Sequence, residues 1–489
     1  MSTTWLLPLT IGVILTYPIL NAIYNIYFHP LAHIPGPRNW AASRLPFIWA
    51  LIRGTIVHDF EKLHRKYGPI LRIAPDEVTF AKGEAWVDIF QGRPGHQQFL
   101  KDPIWWAAQP GQPDSIINAI SPETHARIRK TLTPAFTIRA LRSQERIIQQ
   151  YTSLLVERLH ERVEETKGNG VELDIVPWLH YTTFDIFGDL GFGESFKCLE
   201  HSKYHPWIAL VFNSVKAASF IVAARFNPLV EFLLMKSIPR SLEKMQMDHY
   251  QHIVDKEMNG EKGMGEINST FMILTNAGSE TTATVLAGTL NYLINTDADK
   301  LFRLTDEIRK RFASPEEMTL EALQDLLYLN AVIKEGLRLC PPIPWVLPRK
   351  VPVGGDSVCG VWLPGGTPVS IQAYSINRDP TYFYSADEFL PERWLPEATD
   401  NPESPFYSDQ RDAIQPFSVG PRSCMGQPLA WAEMRLVLAK LLWAFDLEAI
   451  EGKRVKWEEL RTFLFVEKRP IEVRLKLRTT GGNVCSKHG

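Results

Sequence analysis

Phe417-Ser418-Val419-Gly420-Pro421-Arg422-Ser423-Cys424-Met425-Gly426 lies near the C-terminal end of the 489-residue chain. Five cysteines are scattered along the sequence, at 198, 340, 359, 424 and 485. Only Cys424 has glycines on both sides, an arginine two residues before it and a strongly helical run after it. In that run Ala430, Met434, Val437, Leu438, Leu441 and Phe445 recur at the spacing of one buried helix face. Cys424 therefore falls in a glycine-kinked loop just ahead of a helix N-terminus. There the unpaired backbone N–H groups and the positive end of the dipole favour an anionic sulfur. A thiolate so placed can hold an iron, its donor strength moderated by N–H bonds to the sulfur. Gly420 and Gly426 are what close approach of backbone to a flat cofactor requires. By itself, a cysteine in a turn is by default a buried structural residue, so the rest of the chain has to decide.

Hydrophobic residues make up 45% of the chain, enough for a large core. The 53 basic and 55 acidic side chains nearly cancel, so no global charge points to nucleic acid, although a local basic patch is compatible with that balance. An odd number of dispersed cysteines makes no disulfide framework and fits a reducing compartment. There is no internal repeat, no low-complexity tract and no Walker or dinucleotide fingerprint. Gly191-Phe192-Gly193 has Phe196 where a third glycine is needed, and reads as a loop.

Trp5 to Phe28 is an uncharged, mostly apolar run. As a helix it would reach roughly 36 Å, against a hydrocarbon core of about 30 Å. Tyr24 and Tyr27 suit an interface, and Pro18 predicts a kink. The first basic residues, Arg38, Arg44 and Arg53, follow the run and place the next domain on the cytosolic side. A cleaved signal peptide would want a basic leading segment and a small-residue cleavage site, and neither is evident. The reading is a retained anchor over 1–29 and a domain over 30–489. His29-Pro30 and Ile34-Pro35-Gly36-Pro37 join them as a stiff linker.

Short strands are predicted at Ile70–Ile73 and Glu77–Phe80, and mostly helix from 140 to 256. His125-Ala-Arg127-Ile-Arg129-Lys130 opens a helical segment whose basic face is ordinarily a solvated one. Ile267–Asn295 reads as one long helix containing Ala277-Gly278-Ser279-Glu280-Thr281-Thr282. Gly278 inside a helix is about 1 kcal/mol less favourable than Ala, and the β-branched threonines weaken the turn further. Thr281 can bond the carbonyl of Ala277 and open the helix, though alone the string reads as a kinked core helix. A helix over Leu323–Leu339 puts Glu335 and Arg338 on one face. Val358–Leu363, Pro364-Gly365-Gly366 and Thr367–Ala373 read as a hairpin. Thr462-Phe463-Leu464 reads as a strand turn.

Together these residues resemble the cytochromes P-450. Phe417–Gly426 is similar at every fixed position to that family's haem-binding signature, Phe-x-x-Gly-x-Arg-x-Cys-x-Gly. Ala277–Thr281 resembles its Ala/Gly-Gly-x-Asp/Glu-Thr motif. Glu335-Gly-Leu-Arg338 with Arg393 of Pro391-Glu-Arg-Trp394 resembles its Glu–Arg–Arg network. Tyr27-Phe-His-Pro-Leu31 and Tyr181–Leu190 are similar to fungal members, notably secondary-metabolism enzymes of the isotrichodermin hydroxylase kind. The likeness runs from the anchor to about Arg478.

The resemblance implies a mainly α fold: one large helical haem domain with small β-sheets behind an N-terminal transmembrane helix. It implies haem b with iron held by the Cys424 thiolate, Phe417 and Gly426 beside it, and His125, Arg129, Arg349 and Arg422 at the propionates. Glu280 and Thr281 become the proton-delivering pair, and Glu335, Arg338 and Arg393 a structural network. Residues 84–120 correspond to the variable loop over the haem, or to a surface loop with buried tryptophans. Ala217–Leu234 corresponds to a substrate roof that touches the membrane surface, or to plain core, and Pro341–Leu347 to a pocket wall. The connection before 267 is shorter than is usual in the family, which points to trimmed helices. The implied activity is hydroxylation or other oxidation of a hydrophobic small molecule (terpenoid, polyketide or alkaloid) with O2. Electrons would come from a separate NADPH-cytochrome P-450 reductase, at the endoplasmic reticulum membrane, with a single span and a cytosolic catalytic domain. The alternatives are an O2-independent rearranging member, against which the intact Glu280-Thr281 counts, and a non-catalytic haem-binding membrane protein.

Overall fold

The computed structural model describes residues 6–108, 113–167, 169–237, 265–296 and 298–478. The chain opens with helix α1 (Leu6–Tyr27), which contains Pro18. Tyr17, Leu20, Tyr24 and Tyr27 of α1 are exposed, whereas Asn25 is buried and its amide donates to the Ala42 carbonyl at 3.1 Å. Among the described residues no helix is long and apolar enough to cross a membrane. The transmembrane helix expected over Trp5–Phe28 is therefore not found among them, and Trp5 itself lies outside them. Asn21, Asn25 and Pro18 dilute the apolar run, and Asn25 fastens the last turns of α1 to the domain that follows.

The helical body contains α2 (Pro122–Leu132), α3 (Ile138–Glu164), α4 (Ile175–Phe192), α5 (Pro206–Arg225), α6 (Pro228–Ser237), α7 (Gly265–Thr296), α8 (Ala298–Arg311), α9 (Leu327–Leu339) and α10 (Gln427–Ala444). Ser121, Thr137 and Asp174 cap α2, α3 and α4 by accepting a backbone N–H at each start. Leu155, Phe184, Leu290, Leu304, Val332 and Leu438 bring α3, α4, α7, α8, α9 and α10 into one core.

Twelve short strands, β1 (Ile70–Ala74), β2 (Glu77–Phe80), β3 (Leu100–Lys101), β4 (Val171–Asp174), β5 (Val346–Lys350), β6 (Asp356–Val358), β7 (Val361–Leu363), β8 (Pro368–Ile371), β9 (Phe445–Ala449), β10 (Thr462–Phe463), β11 (Phe465–Val466) and β12 (Glu472–Leu477), occur among the described residues. A five-stranded sheet runs β1-β2-β8-β5-β3, parallel only between β2 and β8. Its β3–β5 register sets Lys101 beside Arg349. A three-stranded sheet runs β4-β12-β9.

Several expectations are corrected here. The helix expected over Leu323–Leu339 is two, Leu320–Gln324 and α9, because Leu326 is extended. The hairpin is β6–β7 alone, since Cys359 and Gly360 both take the positive φ of a tight hairpin turn; β8 leaves for the large sheet. The apolar segment Ala217–Leu234, on which no single helix was expected, spans the end of α5 and most of α6. Residues 238–264, which hold most of the short connection, lie outside the described residues.

Candidate active site

The Cys424 loop is closed by its own backbone: the Cys424 N–H donates to the Phe417 carbonyl at 2.8 Å, and the Phe417 ring packs against the main core. Ser418 and Gly420 both take left-handed φ, 58° and 76°. A Cβ at Gly420 would run into the Phe90 carbonyl oxygen. Packing on the Ala85–Phe90 helix therefore requires that glycine. Gly426 differs: a Cβ there would meet only Cys424 Sγ, at 3.9 Å. Cys424 is exposed. Burial pushes its thiol up, while the Gly426 N–H, the Arg129 guanidinium and the Gln427 N–H at the start of α10 work against burial.

Beside this loop stands a group of buried or half-buried cations. Arg129 on α2 donates to the Ser423 carbonyl at 2.7 Å, and His125 lies one turn earlier, buried. Arg349 on β5 is buried over the Phe90 ring, 5.1 Å from its centroid, and its Nη1 has no hydrogen-bond partner. Lys101 on β3 is also buried, its ammonium donating to the Ile117 carbonyl. Arg422 spends its fork on the Ala119 and Ile120 carbonyls, at 2.6 and 2.9 Å, and so pins the 115–120 loop to the cysteine loop. A cavity of about 400 Å³ opens among His125, Arg129, Lys130 and Arg422.

Among the described residues no carboxylate pairs with Lys101, His125, Arg129, Arg349 or Arg422. Their protonation is strained accordingly. Burial and Arg422 pull Arg349 down to about 9. Burial, with Arg349 and Arg422, pulls Lys101 well below the usual lysine range. Burial and the surrounding cations pull His125 to about 4. Buried like charges without a counter-ion are unfavourable, and they mark a place for an anion. An exposed cysteine with such cations beside it fits a porphyrin with two carboxylate arms. Lys101 escaped the sequence reading because only the pairing of β3 with β5 brings it to Arg349.

On α7, Thr281 Oγ1 donates to the Ala277 carbonyl at 2.6 Å, and Thr282 and Thr284 repeat the pattern on Gly278 and Glu280. Gly278 gives room to the Phe187 ring of α4, which would lie 2.7 Å from a Cβ. Any widening of this turn therefore rests on the threonines. Thr281 lies two turns beyond Leu274, which packs near Ile116, Ala119 and Met425 of the cysteine loop. Glu280 turns elsewhere. Its buried carboxylate pairs with Lys468, beyond β11, and lies 3.1 Å from His180 Nε2 on α4. Burial opposes ionisation, yet Lys468 and His180 hold Glu280 down at about 2.

Glu335, Arg338 and Arg393 come together with no exposure at all. Arg338 binds both oxygens of Glu335, at 2.9 and 2.7 Å, and Arg393 Nε reaches Oε1 at 3.2 Å. The Leu390 N–H and the Trp394 indole complete the carboxylate, each at 2.8 Å, and Asp409 pairs with Arg393. Burial works against this carboxylate, but Arg338, Arg393 and the Leu390 N–H hold it below the usual range.

Comparison with known proteins agrees with this geometry. The family model described as Cytochrome P450 matches residues 35–258 and 234–475, two overlapping segments that meet where the connection is short. The chain is 40% identical to Cytochrome P450 monooxygenase lcsI of Purpureocillium lilacinum, over 94% of this chain and 92% of that protein. It is 41% identical to Cytochrome P450 monooxygenase cpaH of Aspergillus oryzae, over 92% and 89%. It is 40% identical to averantin hydroxylase of Dothistroma septosporum, over 96% and 91%. With the matched segments spanning most of the sequence and both the cysteine loop and the α7 motif inside them, the chain belongs to the cytochrome P450 family and is an oxidoreductase of its monooxygenase kind.

Proposed function

We propose that this protein is a haem-thiolate monooxygenase that hydroxylates or otherwise oxidises a hydrophobic terpenoid, polyketide or alkaloid in fungal secondary metabolism. The observation that carries the reading is the set of unpaired buried cations beside an accessible Cys424. Haem b, when bound, would supply dioxygen activation, and the Cys424 thiolate would hold its iron. Arg129, Arg349, His125 and Lys101 bind and orient the propionates through charge-assisted bonds. Arg422 holds the loop that lies against them. Gly426 leaves the face of the ring uncrowded.

Thr281 would hold and hand on a proton at its Oγ1, and Glu280 would be the acid behind it. The presence of this pair favours an O2-using monooxygenase over a rearranging member, and incorporation of label from oxygen-18 gas separates the two. One relative is named for hydroxylating averantin, which supports hydroxylation as the reaction. Electrons come from an NADPH-cytochrome P-450 reductase, for which the exposed basic side of α2 is a suitable face. Residues 1–29 would set the enzyme at the endoplasmic reticulum membrane, with the catalytic domain in the cytosol. The uncharged N-terminal run and the exposed Leu20, Tyr24, Leu229 and Phe232 support that location.

Two measurements test the reading. Cys424→Ala abolishes the thiolate signature of the reduced, CO-bound protein; a variant that kept it would overturn the ligand assignment. Thr281→Ala keeps haem and electron flow but sends electrons to hydrogen peroxide. An unchanged ratio of product to NADPH would remove Thr281 from the relay.

A further inference from the structure

The acid of the relay is locked away from the hydroxyl it is meant to serve. Glu280 is nearly fully buried, paired through Oε1 with Lys468 and set 3.1 Å through Oε2 from His180 Nε2. Lys468 also donates to Thr284 Oγ1 at 2.8 Å, one turn further along α7. A carboxylate so firmly ionised holds no proton at neutral pH. A proton destined for Thr281 through Glu280 must therefore reach Glu280 from a neighbour.

His180 is that neighbour. Its ring is buried, and its other nitrogen, Nδ1, lies 2.8 Å from the Tyr204 hydroxyl. Nε2 and Oε2 stand 3.1 Å apart but off the line of a hydrogen bond; since a carboxylate only accepts, the tautomer that suits both neighbours carries its hydrogen on Nε2 and accepts from the phenol at Nδ1. Tyr204 itself is only partly buried. Tyr204, His180 and Glu280 thus form a line from the partly exposed side of α4 to the interior of α7. Other charged or titratable groups facing this line are Lys468, the Cys198 thiol, Asp174, which is tied to the Val176 and Ile471 N–H groups, and Tyr181, whose ring lies 4.9 Å from that of Tyr204.

We propose that Tyr204 and His180 are the proton-entry route to Glu280, with Lys468 as the latch that holds Glu280 until it is protonated. His180 gives the Nε2 proton to Glu280 Oε2 and takes one at Nδ1 from the Tyr204 hydroxyl, which regains its own from solvent. The imidazole stays neutral and changes tautomer, and one solvent proton has moved inward. Protonation cancels the ion pair with Lys468, so the carboxylic acid is released to swing towards Thr281. The inference rests on the Glu280–Thr281 relay proposed above.

The test uses the full haem-loaded protein. Nitrogen-15 NMR of the His180 side chain should show the Nε2–H tautomer in the resting state. A protonated Nδ1, or an imidazolium at neutral pH, overturns the route. His180→Phe should lower product per NADPH about tenfold, with peroxide making up the difference, while substrate KM and the CO spectrum stay as in the parent. Should that variant fail to fold, Tyr204→Phe keeps the ring and removes only the hydroxyl; it should lower coupling about threefold and enlarge the solvent deuterium isotope effect. If both variants couple like the parent while Thr281→Ala uncouples, the entry route is wrong and the relay stands. If Thr281→Ala also couples normally, the relay reading itself fails.

Discussion

Among the clusters of buried charge in the described residues, two are built on opposite plans. Around Glu335 the charges balance: two carboxylates, Glu335 and Asp409, face two guanidiniums, Arg338 and Arg393. The remaining donors of those arginines reach the carbonyls of Asn377, Ala386, Glu388 and Tyr384. Around the Cys424 loop the cations Lys101, Arg129, Arg349 and Arg422 stand with His125 and, among the described residues, no paired carboxylate. A balanced, hydrogen-bonded cluster is complete once the chain has folded. An unbalanced one is complete only when something anionic arrives. The first belongs to the fold and the second to a ligand, and substitutions in the two should behave oppositely.

The largest effect is expected in the balanced cluster. Glu335→Ala leaves two fully buried guanidiniums facing one carboxylate, and should destabilise the protein by about 3–5 kcal/mol with or without haem. Chemical denaturation of the apoprotein reads this directly. In the other cluster, Arg349→Met removes a cation from among like charges, so the apoprotein should be no less stable than the parent. Its haem should leave about tenfold faster, as loss of about 1.4 kcal/mol of charge-assisted binding requires. Transfer of haem to a competing apoprotein measures that rate. If Arg349→Met instead destabilised the apoprotein as Glu335→Ala does, the contrast between the clusters would be gone.

The same contrast explains what could be read in advance. The spacing of Glu335 and Arg338, and the bond from Thr281 to Ala277, are set within one turn of helix, so the sequence displays them. The Cys424 loop is local too, and its N–H groups at the start of α10 follow from where the helix begins. Lys101, His180 and Lys468 were invisible because strand pairing and helix crossing bring them to their partners across long stretches of chain. Gly420 and Gly278 were legible as glycines but not as contacts: their missing side chains make way for Phe90 and Phe187, which no nearby residue announces. The transmembrane reading took the apolar run of α1 at face value, whereas Asn25 spends its amide on Ala42. A hydropathy pattern does not show which polar groups find partners inside the protein.

A smaller effect, in acid, sharpens the comparison. His64 is buried, its Nδ1 3.0 Å from the Gly68 carbonyl, and burial lowers it from 6.5 to about 4. His125 is lowered to about the same value by burial and by the unpaired cations. A histidine whose folded pKa lies below its unfolded one gives stability that is complete above about pH 6.5 and is lost as the pH falls towards 4. Each such group steepens the acid loss by up to about 1.4 kcal/mol per pH unit in that window. Propionates beside His125 would raise it and remove its share, while His64, on which only burial, the Gly68 carbonyl and Asp379 act, keeps its own. The apoprotein should therefore lose stability between pH 6.5 and 4 more steeply than the haem-loaded protein, by up to one histidine's worth. His64→Gln should flatten both curves equally. Equal slopes for the loaded and unloaded protein would mean that no anion sits beside His125, and the cations around Cys424 would then need another explanation.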